Sequence, residues 1–440
     1  PPPPPPSFFP PPTPPPPILS GLVGSEMCIR DSNKRMAIDF DAEWDHRGLG
    51  SLKWEFIVRD GEPQSWDRTD PDLGEDRVLS MWVADMDFRV AEPIIAALQH
   101  RVESGIYGYA GKTPGYLSAV ADWVQRRHGW FVDQDWIVPT VGIVPALHLI
   151  VRQFTEPGDG VLIQRPVYHP FSFAIINNDR QVVCNPLALD GDHYQINFDD
   201  LETKAKASNV KLAILCNPHN PVGRVWSKDE LSRFSEICHR HDVMVVSDEI
   251  HGDLVLPGHH LTSYGLLDSE ETEQSIVCTA ASKTFNLAGL KTSNLIIRHP
   301  DIRTSMKKEI RNTGLWGLNP LGLAATQAAY EAGEPWLEEV IQYIANNHEF
   351  LASYIEKYIP ALRVIPPQAT YLAWIDCRNL GLDENALSQL MMQNARVYLD
   401  DGHIFGPEGA GFARLNLACP RSILEQALDR IRKAVESVMS

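Results

Sequence analysis

Between residues 82 and 316, short apolar runs alternate with amphipathic helical stretches, and this alternation constrains the chain more than any other feature. The runs GVLIQ (160–164), QVVCNPL (181–187), KLAILC (211–216), VMVVSD (243–248), SIVCT (275–279) and SNLIIR (293–298) have strand length. Strands separated in this way by helices imply a largely parallel sheet covered by helices on both faces. The segment SKDELSRFSEICHRH (227–241) shows how such a helix starts, because Ser227 followed by Glu230 forms a capping box. After Asn319-Pro320 one long helical pattern runs towards Tyr358, followed by the strand-like RVIP and TYLAWID and an amphipathic helix at 421–438. The expected organisation is a large α/β domain at 82–319 and a smaller α+β domain at 320–440, with 36–81 joining the smaller one.

The first 35 residues are different material. Thirteen of the 34 prolines lie between Pro1 and Pro17, and such a segment builds no core. The following GLVGSEMCIRDS (21–32) resembles translated sequencing-adapter sequence, and Met36 offers a natural start, so residues 1–35 are expected to be an artefactual or disordered leader. Elsewhere composition excludes more than it assigns. A net charge of −18 argues against nucleic acid as a partner. No apolar run approaches the roughly 20 residues of a membrane helix, so a soluble protein without membrane association is expected. Seven cysteines, scattered and without a CxxC pair, argue against a disulfide framework and favour a reducing cytoplasm. His239, His241, His251, His259 and His260 lack any metal-binding spacing; no metal is expected, and surface helix and loop positions are assigned to them.

Several strand ends carry chemistry. Lys283, in Ala280-Ala281-Ser282-Lys283-Thr284-Phe285-Asn286, follows SIVCT directly and so falls at the edge where open α/β sheets bind ligands. KLAILC ends in Asn217-Pro218-His219-Asn220-Pro221-Val222-Gly223, and VMVVSD ends in Asp248-Glu249-Ile250-His251. Gly142 and Ile143 open a helical stretch whose free backbone N–H groups suit an anion. Singly each is commonplace; together they supply what a pyridine aldehyde phosphate needs.

These pieces resemble fold type I pyridoxal-phosphate enzymes, α/β transferases with a large, mostly parallel sheet domain and a smaller α+β domain. The resemblance implies pyridoxal 5'-phosphate as cofactor. It makes Lys283 the covalent anchor, Asp248 the partner of the ring nitrogen, Asn220 that of the ring oxygen and Tyr168 the ring-stacking aromatic. His251 stands where transaminases of this fold often place a ring-oxygen tyrosine, and Val222 replaces the usual threonine. Ala280 lacks the hydroxyl and Lys291 replaces the arginine of the wider family, leaving phosphate to Ser282, Lys291 and the backbone of Gly142 and Ile143. Over nearly all of residues 40–435 the chain is similar to the MalY/PatB type of cystathionine β-lyase, on the pieces MWVADMDF (81–88), YGY (107–109), SDEIH (247–251), ATYLAW (369–374) and FARLN (412–416). That branch implies Arg414 gripping the carboxylate of an amino acid substrate, a homodimer in which Tyr109 reaches the neighbouring subunit's phosphate, and β-elimination of a thiol. Two rivals remain open: an amino acid aminotransferase, which differs in the fate of one carbanion, and a non-catalytic cofactor-sensing regulator, for which residues 1–80 offer no helix-turn-helix module.

Overall fold

The computed structural model describes residues 38–46, 48–59, 62–65, 78–267 and 270–439; the leader expected at 1–35 and the start at Met36 lie outside them. Seven strands form the main sheet: β1 (Ile137–Thr140), β2 (Gly160–Ile163), β3 (Gln181–Cys184), β4 (Val210–Cys216), β5 (Met244–Asp248), β6 (Ile276–Thr279) and β7 (Ser293–Ile296), in the order β1-β7-β6-β5-β4-β2-β3. β2 and the strands from β4 to β7 are almost wholly buried, as expected of strands covered on both faces. Their apolar side chains join those of helices Ile143–Phe154 and Pro300–Asn312 in one core that includes Ile150, Leu212, Val246, Ile276, Leu295 and Met306. The predicted strands are all present, with ends shifted by up to three residues, and the helix at Lys228–Arg240 carries the predicted capping box.

The sheet is mostly parallel, as expected, with β7 antiparallel to both of its neighbours, β6 and β1. One expectation needs correction. The stretch from 320 to 358 is two helices, Pro320–Ala332 and Glu334–Tyr358. Pro335, at the start of the second, has no N–H to continue the first, and the Gly333 carbonyl instead accepts Trp336 N–H at 3.0 Å and Leu337 N–H at 3.1 Å.

A second, antiparallel sheet comprises β8 (Arg363–Ile365), β9 (Leu372–Asp376), β10 (Asp400–Asp401) and β11 (Phe412–Asn416), in the order β8-β9-β11-β10. Its core takes in Leu351, Ala373, Leu415, Leu424 and Ile431, and also Leu79 and Met81 from far earlier in the chain. Leu79–Ser80 pairs in parallel with Val397–Tyr398.

From there residues 84–88 run as a strap between the two sheets. Asn416 Nδ2 donates to the carbonyls of Val83 and Asp85, both at 2.7 Å, while Asn286 Nδ2 donates to those of Met86 at 2.9 Å and Phe88 at 3.2 Å. Asp87 anchors the strap. Its buried carboxylate receives Lys53 Nζ at 2.8 Å and Trp54 Nε1 at 2.7 Å. Removing one member of a buried ion pair strands the other, so Asp87→Ala is expected to cost about 3–5 kcal/mol. Urea unfolding tests this, with the midpoint falling and the slope unchanged; a loss below about 1 kcal/mol would mean that Lys53 finds water.

Candidate active site

Parallel register brings the chemistry together. Asp248, the last residue of β5, lies beside Cys216 at the end of β4 and Cys278 near the end of β6. The turn after β4 carries Asn220, the short helix Ala281–Thr284 after β6 carries Lys283, and the segment after β2 carries Tyr168. Because β7 is antiparallel, its first residue Ser293 faces Thr140 at the end of β1, which puts the 140–143 turn on the same edge. Gly142 adopts φ +144°, a conformation reserved for glycine, and caps helix Ile143–Phe154 without a side chain. The N–H groups of Ile143 and Val144 therefore have no intrahelical acceptor. Ser282 is half-buried beside Lys283, and Lys291, exposed at φ +50°, lies close enough for its charge to act on Lys283.

Asp248 is 3% exposed. One oxygen accepts Ile250 N–H at 3.1 Å; the other makes no hydrogen bond among the described residues. Burial pushes its carboxyl up to about 7, the Ile250 N–H and the Lys283 charge opposing and Glu249 reinforcing. Lys283 donates to the Ala84 carbonyl at 2.8 Å, and burial holds its amine below the ordinary lysine range. Arg414 and Lys291 push the same way, whereas Asp85 and Asp248 oppose.

Arg414, on β11, is 4% exposed and reaches across from the second sheet. Its Nη1 donates to Asn220 Oδ1 at 3.0 Å, its Nη2 to the Trp82 carbonyl at 3.3 Å and to the carboxylate of Asp400, and its guanidinium lies 4.8 Å from the centre of the Phe405 ring. Asn220 thus positions the arginine as well as facing the sheet edge. Tyr168 donates its backbone N–H to the Asn220 carbonyl at 3.0 Å, and burial pushes its hydroxyl up to about 12, Arg414 opposing.

His251 departs from the surface position expected of it: it is buried, packed edge-on 6.0 Å from Tyr371, and burial with the charges of Lys283 and Arg414 drives its imidazole down to about 3, so it is neutral. Tyr109 is placed on the surface instead, 93% exposed, with its ring 5.6 Å from that of Trp316.

Three residues of this site went unnoticed in the sequence. Asp400 pairs with Arg414 across adjacent strands, and its carboxyl is raised by burial against the pull of that arginine. Asp253 ties the lysine turn to the end of β5, accepting Thr284 Oγ1 at 2.8 Å, His128 Nε2 at 2.9 Å and Trp123 Nε1 at 3.1 Å. Tyr371 donates to the Ala84 carbonyl at 2.8 Å. Asp253, two residues beyond His251, and Tyr371, inside ATYLAW (369–374), had local signals; Asp400 had none.

The arrangement suits a planar, anionic, nitrogen-containing group. Besides the open oxygen of Asp248, the Nδ1 of His251 and the Nε of Arg414 are buried without a hydrogen-bond partner among the described residues, and an amine and a helix N-terminus flank them. No cluster of metal-ligating side chains occurs among the described residues. Fold and constellation define the class, the fold type I pyridoxal-phosphate enzymes. Within it, residues 84–431 match the aminotransferase class I and II family, to which the chain belongs.

Among relatives, the cystathionine beta-lyase PatB of Bacillus subtilis is 41% identical over 398 residues, spanning 90% of this chain and 100% of that protein. Protein MalY of Escherichia coli is 33% identical over 403 residues, spanning 91% and 99%. Among solved structures, cystalysin from Treponema denticola, which contains a pyridoxal 5'-phosphate cofactor, superposes with a TM-score of 0.86 at 38% identity, covering 91% of this chain and 100% of that one.

The Asp248 carboxyl makes stability pH-dependent. Its pKa is raised from the ordinary carboxyl value of 3.8 to about 7 by folding, so between these limits the folded state holds more protons than the unfolded state and stability falls as pH rises. Without cofactor, Asp248→Asn is expected to gain stability relative to the wild type as pH increases from about 4 to about 7. Thermal melts of both proteins across this range check it, and parallel curves would show that Asp248 is ionised throughout.

Proposed function

We propose that the chain is a pyridoxal-phosphate-dependent C–S β-lyase, cleaving cystathionine or another S-substituted cysteine to a thiol, pyruvate and ammonia. The observation that carries the reading is the convergence of Lys283, Asp248 and Arg414 at one sheet edge, in a chain similar over nearly its whole length to proteins named cystathionine beta-lyase. In this reading Lys283 anchors the cofactor. Asp248 faces its ring nitrogen, Asn220 and His251 its ring oxygen, and Tyr168 its ring face. Ser282, Lys291 and the backbone of Gly142 and Ile143 receive its phosphate. Residues 82–319 are the large cofactor domain and 320–440 the small one, joined by 36–81. The protein works as a cytoplasmic homodimer, with Tyr109 of each subunit reaching the other's phosphate; the exposed Ile106, Tyr107, Tyr109 and Trp316 supply an apolar patch for such an interface.

The bound cofactor supplies an aldehyde that captures an amine and a ring that withdraws electrons from the neighbouring carbon. The chain's residues do the rest. Asp248 carries a negative charge beside the ring nitrogen, which keeps that nitrogen protonated. Arg414, held by Asn220 and Asp400, presents a planar fork to the substrate carboxylate and fixes the bond to be broken at the α-carbon. Lys283, its amine biased to the neutral form, takes the proton from that carbon. With a thioether sulfur on the β-carbon, the carbon–sulfur bond breaks and its electron pair leaves with the thiolate, so no proton need be delivered at the cofactor, whereas transamination requires one.

Cystathionine is therefore expected to give pyruvate, ammonia and free thiol over many turnovers with no keto acid present. Coupled pyruvate assay and thiol titration measure this. Product formed only when a keto acid is supplied would establish an aminotransferase instead.

A further inference from the structure

We infer that Tyr371 is a positioning residue for Lys283, acting through the Ala84 carbonyl that both donate to; this rests on the reading of Lys283 as the working base. The Ala84 oxygen accepts Lys283 Nζ and Tyr371 Oη, each at 2.8 Å. A carbonyl has two lone pairs, so the tyrosine hydroxyl occupies one and leaves the lysine a single docking direction. A neutral amine that spends one N–H on this acceptor keeps its own lone pair pointing away, free to receive a proton. The shared hydroxyl also weakens the acceptor, which disfavours the ammonium form more than the amine.

The surroundings hold both partners in place. Tyr371 is 1% exposed, its ring packed edge-on against His251. Thr370, just before it, is held at φ +74°, a conformation costly for a β-branched residue. Thr370 N–H donates to the Leu254 carbonyl at 2.7 Å, His348 Nε2 lies 3.0 Å from the Thr370 carbonyl, and Thr370 Oγ1 accepts Leu372 N–H at 3.1 Å. These bonds hold Thr370 in that conformation, directly before the tyrosine. Ala84 is fixed in turn, since Asn416 secures the carbonyls of Val83 and Asp85 on either side. The charged groups facing Lys283 are Asp85 of the strap, Asp248 of β5, Arg414 of β11 and Lys291 before β7, and Tyr371→Phe alters none of them.

Two measurements on the full-length chain test this. In Tyr371→Phe the Ala84 carbonyl still has Lys283, so no buried group is left unpaired, but the acceptor now favours the ammonium. The pH profile of kcat on S-substituted cysteines is expected to shift to higher pH, with kcat at neutral pH down by about tenfold and KM within about twofold. In cofactor-free protein, reductive methylation of Lys283 followed by mass spectrometry is expected to show the same alkaline shift, while Lys53, buried against Asp87, stays protected and reports an intact fold. A fluorinated tyrosine at position 371 strengthens the donor and is expected to shift the methylation profile the opposite way. Methylation profiles that coincide in wild type and both variants would overturn the inference. A chain that shows the methylation shifts yet gives no thiol from any thioether would uphold it while sinking the lyase reading.

Discussion

Everything at this site depends on the parallel register of β4, β5 and β6. Parallel strands end on one edge, and here the pairing sets Cys216, Asp248 and Cys278 in a row. Each strand then releases its chain into a turn on that edge, and the turns bring Asn220, His251 and Lys283 together. A shift of one residue in β5 would turn Asp248 to the opposite face of the sheet, because side chains alternate with period two. The buried, β-branched and aliphatic interiors of these strands specify that register by packing on both faces.

Concentrating charge in a buried edge is expensive, and the structure shows how each charge is tolerated. The two terminal nitrogens of Arg414 meet Asp400, Asn220 and the Trp82 carbonyl, and Lys53 meets Asp87 and the Asp85 carbonyl. The Arg414–Asn220 bond ties the second sheet to the turn after β4, and the Lys53–Asp87 pair ties the strap at residues 84–88 to the short helix Leu52–Glu55. Asp248 is different, with one oxygen unpartnered among the described residues and its carboxyl pushed up to about 7. A buried acid left this way is poised for a cation, and binding one returns it to the ionised form. Lys283 is shifted in the complementary sense, towards the amine.

Much of this was legible in the sequence, since strand ends announce themselves where an apolar run meets Asn-Pro, Asp-Glu or Ser-Lys. The capping box at Ser227 and Glu230 appears as read. Other features had a signal that was passed over. Gly333 and Pro335 marked a helix break. For His251 the signal is position: it follows a buried strand by three residues, and that outweighs the surface preference of its residue type. What the sequence could not carry is pairing between distant segments. Asp400 meets Arg414 only through the β10–β11 register, and the Ala84 carbonyl is a backbone group that no residue pattern marks.

The central claim is that this edge is built around Lys283 as the cofactor's anchor. Borohydride reduction of the protein with pyridoxal 5'-phosphate bound, followed by proteolysis and mass spectrometry, tests it directly. The account predicts a single pyridoxyl group, on the peptide containing Ser282-Lys283-Thr284. A pyridoxyl group on Lys291, Lys53 or any other lysine, with Lys283 unmodified, would contradict it.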